Sequence, residues 1–298
     1  MTQTGRVVAA HGRHVMVLTP EGRRVLCHSR GKKNQAVVGD LVRWAITGDE
    51  GVLEAIEPRR NLFFRQDEWR TKSFAANLDR VLVLVAGEPM FSEESLTRAL
   101  IAASDVDVPA LVVLNKADLP AVDAARAKLK PYLAMGIAVV EVSMRGAAQS
   151  AHDTLMPWLD GRTTLVLGPS GMGKSTLINL MVPQAAAQVG EISQALGTGR
   201  HTTTHTAWYA VPGASAGTAL IDSPGFQAFG LHHIAPERLA ALMPDLAPGV
   251  GHCRFHNCTH RQEPGCAVRD RVGTGEVSEN RYRLYLALHE ELSQPPRY

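Results

Sequence analysis

Short apolar runs broken by turn residues open the chain, at 6–10, 14–18, 24–27, 40–44 and 51–56. Each is too short for an ordinary helix and rich in Val, Leu or Ile, so the spacing predicts five β-strands and, at that density, a small barrel. From Pro58-Arg59-Arg60-Asn61 onward the chain turns polar and reads as a linker. Beyond it, continuous Val/Leu stretches at 80–85, 110–114, 138–142, 164–167 and 218–221 alternate with helical segments such as 92–103 and 122–133. Strands that are apolar on both faces and separated by helices predict a parallel sheet flanked by helices, an α/β unit. Past Gly230, six His and three of the four Cys mark a third unit, which ends in an amphipathic helix over 281–292 with Ser278 at its start.

Length supports this division: 298 residues suit two domains or three small ones, expected here at 1–66, 67–230 and 231–298. With 45% apolar and 20% charged residues the composition is globular. No apolar run approaches the roughly 20 residues of a membrane helix, and the opening residues lack a signal peptide's apolar stretch, so a cytoplasmic protein with no membrane partner is expected. Thiols stay reduced there, so the four cysteines are expected to bind metal or sit idle rather than form a disulfide framework.

Net charge is +2 but uneven: residues 1–72 hold 13 Lys/Arg against 8 Asp/Glu, and the rest 18 against 21. A basic front on a near-neutral body suggests a polyanion partner. Five-stranded barrels of the oligonucleotide-binding type offer such a face, and Arg23, Arg24, Arg30, Lys32 and Lys33 would suit it. Only Trp44 supplies an aromatic within the strands, so phosphate contact is expected ahead of base stacking.

Gly168-Pro169-Ser170-Gly171-Met172-Gly173-Lys174-Ser175 matches G-x-x-x-x-G-K-[ST] and lies between a predicted strand and a helix beginning at Thr176. In that context glycines let backbone N–H groups converge on phosphates, Lys174 reaches the β/γ oxygens and the Ser175 hydroxyl ligates Mg²⁺. Asn115-Lys116-Ala117-Asp118 follows a strand at the carboxyl edge, where open α/β sheets bind ligands. The Asp118 carboxylate can accept from guanine's N1–H and exocyclic amine, a donor pair that adenine lacks, so GTP/GDP is the expected ligand. Ser143-Met144-Arg145 is a companion loop for the base. Asp222-Ser223-Pro224-Gly225 resembles the D-x-x-G element, whose Asp acts near Mg²⁺ and whose Gly N–H senses the γ-phosphate. In Gly199-Arg200-His201-Thr202-Thr203-Thr204-His205, one of Thr202, Thr203 and Thr204 is expected to ligate Mg²⁺ and so report the γ-phosphate; the pattern does not choose among them.

An ordinary GTPase runs phosphate loop, switch threonine, D-x-x-G, N-K-x-D; here N-K-x-D comes first and the others follow in normal order. Cyclic order survives and only the cut point has moved, which is a circular permutation. The strand at 80–85 supplies the piece that would normally follow D-x-x-G. With its β-rich front and its Cys/His-rich tail the chain closely resembles the RsgA (YjeQ) family of bacterial ribosome-assembly GTPases. That resemblance implies an N-terminal OB-fold β-barrel, a circularly permuted P-loop GTPase domain and a zinc-binding, mainly helical C-terminal domain. It further implies GTP hydrolysis stimulated by the small (30S) ribosomal subunit late in its maturation, with the subunit and its 16S rRNA as partners of a monomer.

Cys253-Arg254-Phe255-His256-Asn257-Cys258-Thr259-His260, followed by Cys266, places three thiols and an imidazole in a compact loop suited to one structural zinc. His252 and His256 are alternatives to His260 by proximity, and the family pattern favours His260. Cys27 stands apart as a core residue. Where many GTPases carry a water-orienting glutamine after D-x-x-G, this chain has Phe226, so His201, His205 or an RNA group is the candidate for that role. Two competing functions remain: a P-loop kinase or ATPase, which the guanine motif opposes, and a non-catalytic GTP-gated RNA-binding scaffold, which the missing glutamine permits.

Overall fold

The computed structural model describes residues 2–29, 35–47, 50–67, 69, 71–185, 188, 206–223 and 229–294. The front of the chain forms β1 (Gln3–His11), β2 (His14–Leu18), β3 (Arg24–Ser29), β4 (Leu41–Thr47) and β5 (Glu50–Ile56). They pair in the order β1-β2-β3-β5-β4, and β4 returns to β1, so the sheet closes into the expected five-stranded barrel. Alternate residues point inward: Val7, Val15, Val17, Cys27, Val42, Trp44 and Leu53 make an apolar cluster of their own. Cys27 is a core residue there, and burial pushes its thiol up to about 11.

The segment read as a linker is instead structured. Residues Leu62–Gln66 (β6) and Thr71–Ala76 (β7) form an antiparallel hairpin. Its apolar pieces are only three residues long and sit beside polar ones, which hid the strands. Phe63 and Phe74 are buried and pack on each other and on Phe229, with ring centroids 5.5–6.3 Å apart. Single bridges tie this hairpin to the barrel at Val38–Ala75 and to the C-terminal region at Gln66–Leu231.

Next come β8 (Arg80–Ala86), β9 (Ala110–Asn115), β10 (Ala138–Glu141), β11 (Thr163–Leu167), β12 (Ala207–Ala210) and β13 (Ala219–Asp222). Five of these are parallel, in the order β10-β9-β8-β11-β13, and β12 closes the row antiparallel to β13. Parallel neighbours need crossovers, supplied by α1 (Glu93–Asp105), α2 (Val122–Ala134), α3 (Ala148–Leu159) and α4 (Lys174–Met181). The Val/Leu runs are buried throughout: Val81, Leu82, Leu84 and Leu111 to Leu114 are all at 0% exposure, as expected of strands covered on both faces. β12, which the apolar pattern did not reveal, pairs with barrel strand β1 at Ala9–Ala207. Barrel and α/β unit therefore share one 11-stranded sheet.

The last region is built from α5 (Pro236–Leu239), α6 (Ala267–Gly273), α7 (Glu279–Ser293) and short 3₁₀ turns. As expected, the Ser278 side chain caps α7, accepting from the Arg281 N–H at 3.3 Å. This region docks on α1 and α2 through buried Arg281. Its guanidinium donates to both carboxylate oxygens of Asp245 (2.8 and 3.0 Å) and to the Thr97 hydroxyl (2.6 Å), and lies 5.1 Å from the centroid of the Tyr132 ring. No helix among the described residues is long and apolar enough to cross a membrane.

Candidate nucleotide site and metal centre

From β8 the sheet grows one way, to β9 and β10, and from β11 the other way, to β13. The carboxyl ends of β8 and β11 are therefore the point where strand order reverses, and a crevice opens there. The phosphate loop starts at Gly168, directly after β11, and α4 begins at Lys174. A side chain at Gly168 would meet the Leu84 carbonyl of β8 at 2.8 Å. Gly173 has φ +107°, and a Cβ there would lie 2.4 Å from the Asn115 amide nitrogen. Glycine at both positions is a steric requirement of packing this loop against β8 and β9.

Asn115, buried at the end of β9, explains that closeness. Its Nδ2 donates to the Met172 carbonyl at 2.9 Å, and its Oδ1 accepts from the Met144 N–H at 3.2 Å. One amide thus ties the phosphate loop to the 143–145 loop. Lys116, at φ +62°, donates from Nζ to the Glu88 carbonyl at 2.5 Å, and the Ala117 N–H bonds the Val142 carbonyl at 3.1 Å. Of the four, Asp118 is the exposed one. The Ser143 hydroxyl donates to its Oδ1, accepts from the Gly146 N–H at 3.1 Å, and holds the carboxyl below its ordinary value. Asn115, Lys116, Asp118, Gly171, Gly173 and Thr176 line one cleft of about 440 Å³, which Leu119 and Arg145 complete.

At the phosphate end, Lys174 Nζ donates to the carbonyls of Gly168 (2.5 Å) and Pro169 (3.3 Å). Burial lowers its pKa, and Asp222 works against that shift. Asp222 ends β13 and is 7% exposed; burial raises its carboxyl, partly offset by Lys174. A buried carboxylate with no hydrogen bond of its own among the described residues, at the end of the strand next to the one that leads into the phosphate loop, has the donor chemistry that fits Mg²⁺. Arg200, His201, Thr202, Thr203, Thr204, His205, Gly225 and Phe226 lie outside the described residues, as do Arg30, Lys32 and Lys33.

In the C-terminal region the ligand atoms of Cys253, Cys258, His260 and Cys266 all lie within 4.8 Å of one another. His252 and His256 are not part of the cluster. The His260 Nδ1 is 3.4 Å from Cys253 Sγ and 3.5 Å from Cys266 Sγ, and those two sulfurs are 3.9 Å apart. A zinc tetrahedron with Zn–S of about 2.3 Å and Zn–N of about 2.0 Å has edges of about 3.8 and about 3.5 Å, so the residues fit that ion. Burial pushes the Cys258 thiol up to about 12, and metal binding at such a site is coupled to loss of the thiol proton.

The loop's supports were not legible in the spacing. The Tyr282 hydroxyl donates to the His260 carbonyl at 2.8 Å, and the Tyr285 hydroxyl to the Thr259 carbonyl at 2.7 Å. Glu263 accepts from the N–H groups of Thr259, Arg261 and Gln262 at 2.8–3.1 Å. These partners fix His260 at φ +58°, a conformation a non-glycine residue rarely adopts. Arg145, read from the sequence as part of the companion loop, lines the cleft, whereas sequence reasoning missed Glu88, which no motif marks.

A model of the RsgA GTPase family matches residues 56–232. The small ribosomal subunit biogenesis GTPase RsgA of Variovorax paradoxus is 57% identical over 295 residues, covering 97% of this chain and 92% of that protein. Its namesake in Bordetella pertussis is 50% identical over 289 residues, covering 96% and 95%. Among solved structures, YjeQ from Thermotoga maritima superposes with a TM-score of 0.77 at 27% identity, covering 99% of this chain and 100% of its own. YloQ, described as a circularly permuted GTPase, superposes at 0.73 with 26% identity, covering 100% and 98%.

Proposed function

Because the chain belongs to the RsgA GTPase family, we propose that it hydrolyses GTP to GDP and phosphate to serve late maturation of the small (30S) ribosomal subunit, with the subunit stimulating turnover. The observation that supports this most directly is the single crevice in which Asp118 and the phosphate loop meet, although N-K-x-D precedes that loop in the chain.

In this reading Asp118, held by Ser143, accepts from guanine, and Asn115 keeps the base and phosphate ends in register. Backbone N–H groups at Gly171, Gly173 and the start of α4 receive the phosphates, and Lys174 turns from its loop carbonyls to the β/γ oxygens. Ser175, Asp222 and one of Thr202, Thr203 and Thr204 would hold Mg²⁺, which neutralises charge on those oxygens. The Gly225 N–H senses the γ-phosphate. Phe226 cannot orient water, so slow turnover of the free protein is expected until docking brings His201, His205 or an RNA group to the attacking water.

Cys253, Cys258, His260 and Cys266 hold one structural zinc in our assignment, and 16S rRNA is the contacted component of the subunit. We divide the chain at 66 and 230, a division supported by the barrel's separate apolar cluster and the metal cluster's local support. A cytoplasmic monomer completes the proposal.

Phosphate release from GTP, measured with and without small subunits and with ATP and Lys174→Ala as controls, tests it. Strong GTP-specific stimulation that the variant loses is expected. Tight GTP binding with turnover unchanged by subunits would favour the scaffold, and ATP turnover would favour the kinase or ATPase.

A further inference from the structure

Away from the nucleotide crevice, a second cleft of about 230 Å³ lies where the barrel meets the β6–β7 hairpin. Its lining includes His11 at the end of β1, Lys72, Ser73 and Phe74 of β7, and Thr206, the residue before β12. Among the described residues, no carboxylate lines it.

The hairpin carries an arrangement that costs stability by itself: Arg65 and Lys72 are directly opposite in its register. Like charges facing each other across an antiparallel pair are destabilising. Arg65 has Asp67 at 3.6 Å, whereas Lys72 has no acidic partner among the described residues and lies 5.5 Å over the Phe74 ring. Burial, and then Arg65, lower the Lys72 pKa, which marks a cation whose charge is uncompensated.

We propose that this cleft seats a phosphodiester of an RNA backbone, with the Lys72 ammonium as its counter-charge. Phosphate rather than a base is the fitting group, because Phe74 is 3% exposed beneath Lys72 and offers no open stacking face. The contact is therefore one that positions RNA without reading its sequence. Thr206 follows Thr202, Thr203 and Thr204 closely in the chain and precedes β12, so a phosphate bound here lies at the root of the segment expected to report the γ-phosphate. The inference rests on the proposal that RNA of the small subunit is the partner.

The test uses the full chain and a 20-nucleotide mixed-sequence single-stranded RNA, titrated across salt concentrations, for the wild type, Lys72→Gln, Lys72→Arg and the control Lys130→Gln. Lys72→Gln should bind several-fold more weakly at low salt, with a slope of log affinity against log salt shallower by about 0.7, the share of one single-strand phosphate. Lys72→Arg and Lys130→Gln should keep the wild-type slope, and basal GTP turnover should be the same in all four. With subunits, Lys72→Gln should need a higher subunit concentration for half-maximal stimulation. Identical affinity and slope for Lys72→Gln and wild type would overturn the assignment, as would wild-type protein that binds polyglutamate at Lys72 but not RNA. If subunits leave wild-type turnover unchanged while the Lys72 slope effect persists, the ribosomal reading fails and the phosphate cleft stands.

Discussion

The nucleotide crevice and the metal loop solve the same problem, holding a few polar groups in fixed geometry, by opposite means. The crevice draws on residues 115–118, 143–146, 168–176 and 222, four stretches far apart in the chain. Each is an end of a buried strand or the loop that follows it, so the sheet's apolar core provides the precision and one amide, Asn115, sets the register between loops. The metal loop takes its four ligands from 14 consecutive positions, 253–266, with no strand among them. Its order comes from hydrogen bonds to α7 and Glu263 and from the ion it fits. A site on a rigid sheet tolerates loss of its ligand, whereas a site whose ligand is its core does not.

The largest expected effect breaks the second half of that contrast. Cys258→Ser, or a strong chelator, should remove binding energy on the order of 10 kcal/mol and unfold residues 253–266, since structural zinc energies of that size are folding energies. Amide exchange should collapse in this loop and at the adjoining end of α7, while GDP affinity stays near wild type; retained protection in the loop would show that the ion is dispensable.

Arg281→Ala attacks the junction between the two regions. It strands Asp245 without its partner, and breaking a buried pair costs about 3–5 kcal/mol, readable as a shift in denaturant midpoint. Replacing both residues with apolar ones should recover much of that loss, which a double-mutant cycle measures.

Lys174→Ala should lower GTP turnover by about 10²–10³-fold, the usual loss for one preorganised charge donor, with little change in thermal midpoint. A stability loss as large as that of Arg281→Ala would make Lys174 a structural residue instead.

Asn115→Ala leaves the Met172 carbonyl and the Met144 N–H without partners, at a cost of about 1–3 kcal/mol. It should weaken GDP binding about tenfold or more by calorimetry and leave metal-loop exchange untouched.

The smallest effect is pH-dependent. Hydrogen bonds from Arg98 hold the Glu291 carboxyl below its ordinary value. The pair's stabilisation is therefore complete above the unfolded value of about 4.3 and declines as pH falls through the lower folded value. The difference in thermal midpoint between wild type and Arg98→Met should be largest at pH 7 and shrink as pH falls below the unfolded carboxyl value and through the lower folded one.

The hydrophobic pattern made the five barrel strands and the five parallel strands legible because their inward or two-sided apolar character is local to each segment. It failed at β6 and β7, whose short apolar pieces Leu62-Phe63-Phe64 and Phe74-Ala75-Ala76 sit beside the polar residues Arg65-Gln66 and Thr71-Lys72-Ser73, and at β12, where Ala207-Trp208-Tyr209-Ala210 is too short to stand out. Motif spacing located the phosphate loop, Asp118 and the metal ligands, since each is a contiguous arrangement whose chemistry depends on neighbours in the chain. It was silent on Asn115 as a brace, Lys116 on the Glu88 carbonyl, Ser143 on Asp118 and Arg281 on Asp245, whose partners lie 25 to 57 residues away. By itself the sequence determined the fold class, the permuted order of the GTPase motifs and the donor set for a metal. Only the tertiary structure decided that His252 and His256 stay outside the metal cluster, that Asn115, Lys116 and Asp118 share one cleft with the phosphate loop, and that β12 joins the barrel to the GTPase sheet. The physical reason is common to all three: which groups meet depends on loop closure and strand register across the whole sheet, and no local pattern of residues encodes that register.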